Sequence, residues 1–380
     1  MNELRAILYH LISTKITTSQ SLANWFPDFQ RKFQAHFQEA LLSGEIHHYV
    51  RDLYERKVIR GDCATHLLQM TLWLDEEKRT VNDLHRKGVI MIIPGDDEYP
   101  EAFENIVDKP AVLFVYGKVA LLQMNCRKIT LVGTRHPSAW AMLKAKQFAY
   151  EAAACQVTTV SGYANGIDTG IFNETLARHG NTIAILPQLP REPLLPDRDT
   201  SLLISEFPPQ KSEPSKWQFI ARNRLLAALS PVTVIVEAPL RSGTLITAEL
   251  AQSYGKSVYV VVPEPYEDSA YGGLCYGIVQ LQGGFIQSIY DVFFNENWED
   301  SLEKYKEFID KLSLHRLHIQ KKDHRHLAVA DVKRILLQFC RGDLSRFEQV
   351  VIELQRFGII RERKNNIVIN FSGYNSWPKI

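Results

Sequence analysis

The spacing of apolar residues changes along the chain, and each change predicts a different kind of structure. From residue 1 to 87, apolar side chains recur every three or four positions, which is the period of an amphipathic helix. Between 88 and 295, short β-rich runs alternate with longer helical stretches. We therefore predict four segments: a helical domain at 1–87, an α/β domain at 88–295, a charged linker at 296–326 and a further domain at 327–380.

The central segment predicts an α/β fold with a mainly parallel sheet. Eight runs have the composition of strands: 89–93, 112–116, 129–132, 157–160, 182–186, 202–205, 232–236 and 257–262. Four predicted helices separate most of them: 139–154, 171–179, 219–228 and 248–254. This alternation favours right-handed crossovers that pack helices against a parallel sheet.

The C-terminal segment predicts two helices and a hairpin. Apolar positions at helical spacing occupy 332–339 and 344–357, and two β-rich runs then flank Asn365 and Asn366. This order is typical of a winged helix. Its scattered basic residues leave two interpretations open, a DNA-binding module and a protein-interaction module.

Composition and charge limit the classes of function that this protein can have. The 380 residues carry a net charge of +1, so only local clustering of charge can form a nucleic-acid site. The five cysteines are scattered and form no Cys-x-x-Cys pair, which favours reduced thiols in the cytoplasm. The first residues lack a signal-peptide core, and no apolar run approaches the roughly 20 residues that span a bilayer, so we expect no membrane association.

Glycine turns follow three of the predicted strands. Because parallel strands end at one edge of a sheet, these turns should lie together, where glycines and helix N-termini let backbone N–H groups approach a phosphate. Arg135 adds a fixed positive charge to the first turn. The candidate residues of the three turns are Gly133, Thr134, Arg135, Ser161, Gly162, Gly166, Ser242, Gly243 and Thr244. Asp168 could either cap its own helix or contact a ligand.

A fourth segment mixes basic and aromatic side chains. Its candidate residues are Lys216, Phe219, Arg222, Asn223 and Arg224. Aromatic faces can stack on unpaired bases, although Trp217 and Phe219 could equally anchor the core. The two arginines are predicted at a helix start, where positive charge is unfavourable unless an anion compensates it.

The sequence contains no P-loop, no Gly-x-Ser-x-Gly elbow and no His-x-x-x-His spacing. We therefore expect no catalytic residues, no metal and no cofactor.

At these residues the chain resembles the DNA-processing protein A family, also called Smf. Eight matching pieces run in family order: 97–100, 110–117, 132–138, 161–168, 180–186, 205–208, 222–230 and 242–248. The resemblance implies an extended Rossmann-like domain between a helical N-terminal domain and a winged-helix-like C-terminal domain. It also implies a dimeric protein that binds single-stranded DNA and loads the RecA recombinase during natural transformation. The fourteen candidate residues would then be DNA contacts.

The chain departs from the family pattern in three places. Ile171-Phe172 replaces the usual Ala-His, the segment 187–193 that begins at Pro187 is shortened, and Glu264 follows Val262-Pro263 where the family has glycine. These departures argue against a nucleotide-sized pocket more than against a DNA groove.

One alternative is an enzyme. The superfamily also resembles nucleotide phosphoribohydrolases of the lysine-decarboxylase-like group, which bind or hydrolyse nucleotides. Their Pro-Gly-Gly-x-Gly-Thr-x-x-Glu signature is replaced here by 240–247, which lacks the glycine pair.

Overall fold

The computed structural model describes residues 2–123, 127–210, 213–240, 242–261, 281, 283–286, 288–289, 291–292, 327–328, 360–363 and 366–369. The predicted linker, both predicted C-terminal helices and Glu264 lie outside the described residues. Among the described helices, none has both the length and the apolar character needed to cross a bilayer.

Helices fill the N-terminal segment, as predicted. They are α1 (Asn2–Ser13), α2 (Ser19–Phe33), α3 (Phe37–Leu42), α4 (Glu45–Glu55), α5 (Gly61–Leu68) and α6 (Leu74–Arg86). The hydroxyl of Thr18 begins α2 by accepting the Ser21 amide at 3.1 Å, which satisfies one of the free donors at the helix start. Trp25, Phe29 and Phe33 then repeat at helical spacing and are fully buried.

A nine-stranded sheet forms the centre of the molecule. Its strands are β1 (Ile90–Ile92), β2 (Leu113–Gly117), β3 (Lys128–Val132), β4 (Thr158–Ser161), β5 (Thr182–Ile185), β6 (Ser201–Ser205), β7 (Val232–Ile235), β8 (Ser257–Val261) and β9 (Gly284–Ile286). Their order is β1-β2-β6-β5-β4-β3-β7-β8-β9. The seven strands from β6 to β9 are parallel, and β2 is antiparallel to both of its neighbours. The predicted α/β fold with a mainly parallel sheet is confirmed.

Helices cover both faces of this sheet. They are α7 (Glu101–Glu104), α8 (Ala139–Ala154), α9 (Ile167–Ala177), α10 (Lys216–Leu229) and α11 (Gly243–Ser253). Successive side chains of β3 point to opposite faces of the sheet. Ile129 and Leu131 pack with α8 and α9 on one face, whereas Val132 packs with α10 on the other. Apolar residues of α11 pack with Ile235 and Val260 on the α10 face.

The N-terminal helices share one apolar core with the sheet. Leu4, Leu8 and Phe29 belong to the same buried cluster as Phe114 of β2 and Leu203 of β6. Polar contacts reinforce this packing, because the Arg5 side chain of α1 donates to the Met91 carbonyl at 3.2 Å and to Asp96 at 2.8 Å. The N-terminal helices are therefore part of the helical layer that covers Phe114 and Leu203 of the sheet.

Three short strands are described near the C-terminus: β10 (Leu327–Ala328), β11 (Ile360–Arg363) and β12 (Asn366–Ile369). β12 pairs antiparallel with both of the others, which confirms the hairpin, and Arg363 pairs with Asn366. The winged helix stays a prediction, because its helices lie outside the described residues.

Candidate functional site

A cleft opens where the winding of the sheet reverses direction. β3 and β7 are parallel neighbours, with Val132 opposite Ile235, but the helices that follow them lie on opposite faces. The loops after two such strands diverge and leave a crevice, which is where open α/β sheets bind ligands. Here the crevice has a volume of about 810 Å³, within the range of small-molecule sites. This volume is sufficient for a nucleotide, and the effect of the sequence departures on nucleotide binding stays a prediction.

Ten of the fourteen candidate residues line this cleft. They are Gly133, Thr134, Arg135, Lys216, Phe219, Arg222, Asn223, Ser242, Gly243 and Thr244. The structure thus brings together residues from two strand ends and one helix that are separated by up to about a hundred positions. The cleft lining does not include Ser161, Gly162, Gly166 or Arg224.

The turn after β3 holds Arg135 at the surface. Backbone pairing continues beyond the two strands, since the Val236 amide donates to Val132 at 3.0 Å and the Thr134 amide donates to Glu237 at 2.8 Å. The Thr134 hydroxyl accepts the His136 amide at 3.2 Å, which closes a local turn. Arg135 projects from this turn as an exposed side chain.

Arg135 and Lys216 supply accessible positive charge to the cleft. The Arg135 guanidinium lies 5.5 Å from the centre of the half-buried Phe219 ring, which is cation–π distance. Lys216 is exposed at the first position of α10. Within the described part of the chain, neither side chain has a carboxylate partner. Both charges are therefore available to an anion.

The start of α11 forms the opposite wall. No side chain caps this helix and its first turn carries no acidic residue, so no side chain compensates the positive end of the helix dipole there. The Thr244 hydroxyl donates to the Gly133 carbonyl at 3.0 Å and ties this helix to the first turn. The Ser242 hydroxyl is buried, and no described group bonds to it. This wall can bind a phosphate.

Arg222 is an internal side chain. The prediction that it begins a helix is wrong, because α10 starts at Lys216 and Arg222 is its seventh residue. Its side chain is 6% exposed, and its Nη1 donates to the carbonyls of Gly162 at 2.6 Å and Ile185 at 2.7 Å. Arg222 therefore clamps the ends of β4 and β5 beneath the cleft.

Asp168 lies beside this clamp. It is the second residue of α9, but its Oδ2 accepts the Gly162 amide at 3.1 Å instead of capping its own helix. Burial raises the pKa of Asp168 to about 6, although Arg222 acts to lower it. Burial likewise lowers the pKa of Arg222, against the opposing effect of Asp168.

Arg224 does not reach the cleft. Its guanidinium makes a two-pronged ion pair with Glu206, and its Nε donates to the Asp108 carbonyl at 2.8 Å. Arg224 and Glu206 are 8% and 2% exposed. Arg224 also lies well inside α10, so the helix-start argument is wrong for it too. This arginine holds α10 to the strand end of β6.

The beginning of the second glycine turn is also internal. Ser161 and Gly162 are buried, and the Gly162 amide is already bonded to Asp168. A Cβ at Gly162 would lie 2.1 Å from Arg222 Nη1. Gly166 has a φ of +94°, and its Cβ would lie 2.5 Å from the Thr134 carbonyl. Both glycines admit neighbouring protein atoms, and the phosphate contacts predicted for Ser161, Gly162 and Gly166 stay predictions.

Two exposed apolar residues of the cleft were not predicted from the sequence, and a third residue, left undecided there, lies outside the cleft lining. Ile220 and Ile246 line it and are 52% and 41% exposed, and no sequence signal separates them from core residues. Trp217, the undecided one, is 45% exposed and meets Phe207 edge-on at 5.0 Å.

Two residues at the family departures are internal. Phe172 is buried and packs edge-on against Tyr163 at 4.8 Å. Pro187 is buried, and the neighbouring Gln188 accepts a hydrogen bond from Gln218 of α10 at 3.3 Å.

Comparisons with known proteins agree with this architecture. DNA processing protein DprA of Bacillus subtilis is 33% identical over 223 residues, which cover 57% of this chain and 74% of that protein. Protein Smf of Synechocystis is 31% identical over 199 residues, and the chain spans about half of its length, 50% of each. The X-ray structure of DNA processing protein A from Streptococcus pneumoniae matches with a TM-score of 0.54 at 23% identity, covering 76% of this chain and 95% of that chain, which shows the shared fold.

A family model described as DNA recombination-mediator protein A matches residues 90–293. The matched residues include the whole cleft, and they make up more than half of the 380 positions. This chain therefore belongs to the DNA recombination-mediator protein A family.

Proposed function

We propose that this protein binds single-stranded DNA in the cleft and acts as a recombination mediator. One observation carries the proposal: the cleft joins an accessible Arg135, 5.5 Å from the centre of the Phe219 ring, to the uncapped start of α11. Arg135 and the start of α11 can bind phosphates, and the aromatic face of Phe219 can contact an unpaired base. The lining of the cleft is positive on balance, since Arg135, Lys216 and Arg222 outweigh Asp168.

Unpaired DNA suits this cleft better than a duplex. Phe219 and the exposed apolar side chains of Ile220 and Ile246 line one concave site. Apolar faces of this kind contact bases only when the bases are unstacked and turned toward the protein. We therefore expect a clear preference for single strands.

The test is fluorescence anisotropy with labelled single-stranded and double-stranded oligonucleotides over a salt series. Each phosphate contact on a single strand contributes about −0.7 to the slope of log K against log[salt]. The Arg135→Ala variant should bind more weakly, with a slope shallower by about 0.7.

The matched control is Arg178→Ala. Arg178 is also exposed and also lies over an aromatic ring, 5.2 Å from Tyr150, but it caps the C-terminal end of α9. This variant should bind DNA like the unmodified protein. Equal affinity and equal slope for Arg135→Ala would overturn the proposed contact.

The proposal extends to three properties that rest on family membership. We propose that the protein is a cytoplasmic homodimer, that RecA is its partner, and that it loads RecA on DNA taken up in natural transformation. Light scattering measures the oligomer, and RecA filament assembly on single strands, with and without this protein, measures loading. An unchanged assembly rate would contradict the RecA role.

Binding without catalysis is part of the proposal. The only carboxylate lining the described cleft is Asp168, and its Oδ2 is already bonded to the Gly162 amide. Incubating the protein with nucleoside monophosphates should release no free base. Release of base would favour the alternative, a nucleotide-hydrolysing enzyme.

A further inference from the structure

Asn223 has an unused polar group. The side chain is 9% exposed and lies on the wall of the cleft. Its amide makes no hydrogen bond to any group in the described part of the chain. A carboxamide that lines a cleft without a protein partner is free to donate to and accept from a ligand. The flanking Arg222 and Arg224 side chains bond to strand ends and to Glu206, whereas the Asn223 amide bonds to no described group.

Part of the cleft lining is apolar. Val132, Leu226 and Ile246 line the same cleft, and Phe219 offers an aromatic face. A flat ligand with hydrogen-bonding edges fits such walls, which is the description of a nucleobase. A carboxamide can both donate and accept, and it pairs with two adjacent atoms of adenine.

The same cleft supplies a phosphate site. No side chain caps the start of α11, and the Ser242 hydroxyl beside it has no partner in the described part of the chain. A helix start of this kind can bind an anion. Arg135 adds an accessible positive charge. The volume of about 810 Å³ is large enough for one base, one sugar and one phosphate together.

We propose that the cleft binds a single nucleoside 5′-monophosphate, with its base against Asn223 and its phosphate at the start of α11. The inference rests on the proposed function, because both use the same phosphate contacts. It adds a second ligand, a free nucleotide. One nucleotide of a bound strand has the same chemistry. Free nucleotides released by DNA breakdown therefore compete with single-stranded DNA for this site.

The experiment measures binding of dAMP, deoxyribose 5-phosphate and inorganic phosphate to the full-length protein by calorimetry. The base should strengthen binding, so dAMP should bind at least about tenfold more tightly than deoxyribose 5-phosphate. This comparison uses the unmodified protein and needs no variant. Equal affinity for dAMP and the sugar phosphate would overturn the inference.

Variants then locate the base contact. Asn223→Leu keeps the size of the side chain and removes the amide, so dAMP should bind about tenfold more weakly while inorganic phosphate binds unchanged. The control is Asn105→Leu, because Asn105 is exposed and bonds only to its own helix, at the Glu101 carbonyl. Unchanged dAMP binding by a folded Asn223→Leu variant would overturn the contact.

Competition separates the inference from the proposed function. Increasing dAMP should displace a labelled single strand from the unmodified protein, and deoxyribose 5-phosphate should displace it far less. If the strand binds but dAMP neither binds nor displaces it, the inference fails and the proposed function survives. If dAMP binds and the strand does not, the proposed function fails alone.

Discussion

The buried ion pair between Arg224 and Glu206 predicts a large loss of stability when it is broken. In Arg224→Met, an apolar side chain of similar length replaces the guanidinium. The Glu206 carboxylate, 2% exposed, then has no cation beside it. The carbonyls of Asp108 and Ala221 lose their donors as well, at 2.8 and 2.9 Å.

The size of the loss follows from burial. Removing one partner of a buried ion pair costs about 3–5 kcal/mol, because the remaining charge is uncompensated in a poorly solvated site. Each orphaned carbonyl adds to this cost. The expected fall in the free energy of unfolding is therefore about 3–5 kcal/mol, a large part of what typical domains possess.

Urea unfolding monitored by tryptophan fluorescence measures this change. Arg178→Met is the matched control, because Arg178 also pairs with a carboxylate, Glu174, at 2.8 Å, but at the surface. Exposed pairs of this kind contribute less than about 1 kcal/mol. If Arg224→Met costs no more than Arg178→Met, the assignment of Arg224 as a structural anchor is wrong.

Three further predictions concern stability and reactivity. Gly162→Ala should destabilise the protein by about 1–3 kcal/mol in urea unfolding, since its Cβ would lie 2.1 Å from Arg222 Nη1, whereas Gly243→Ala, with no atom within 4 Å of its Cβ, should not. The pKa of Asp168 rises from 3.8 to about 6, so the folded state keeps a proton that the unfolded state loses. Stability should therefore fall between about pH 4 and 6 relative to Asp168→Asn, and parallel pH profiles would refute this. Burial raises the pKa of Cys63 to about 12, so Cys63→Ser should leave the number of fast-reacting thiols unchanged in a thiol titration.

The sheet was predictable because its strands are buried on both faces. The apolar runs 129–132 and 232–236 are β3 and β7 almost to the residue. β9 was missed, since three residues that begin with glycine carry too little pattern. The start of α10 was predicted three residues late, although a signal was present: Ser215 and Gln218 form a capping box, in which the Ser215 amide donates to Gln218 at 2.9 Å.

The residues that form the cleft could largely be predicted from the sequence. The role of each residue could be predicted less well. The glycine turns correctly indicated the carboxyl edge of the sheet, and Arg135 is exposed there. The strand order was out of reach, because pairing between β3 and β7 joins residues about a hundred positions apart. For the same reason, nothing in the sequence showed that Arg224 is neutralised by Glu206 or that Arg222 clamps two strand ends.

The core shared by the N-terminal helices and the sheet has a consequence for how the protein unfolds. A cut at residue 87 would expose Phe114 and Leu203 to water, and with them a contiguous apolar face. The two segments should therefore melt in a single cooperative transition, since neither can bury its own surface alone. Truncated variants made to isolate the cleft should keep α1 to α6, because these helices cover the apolar side chains of the sheet that carries it.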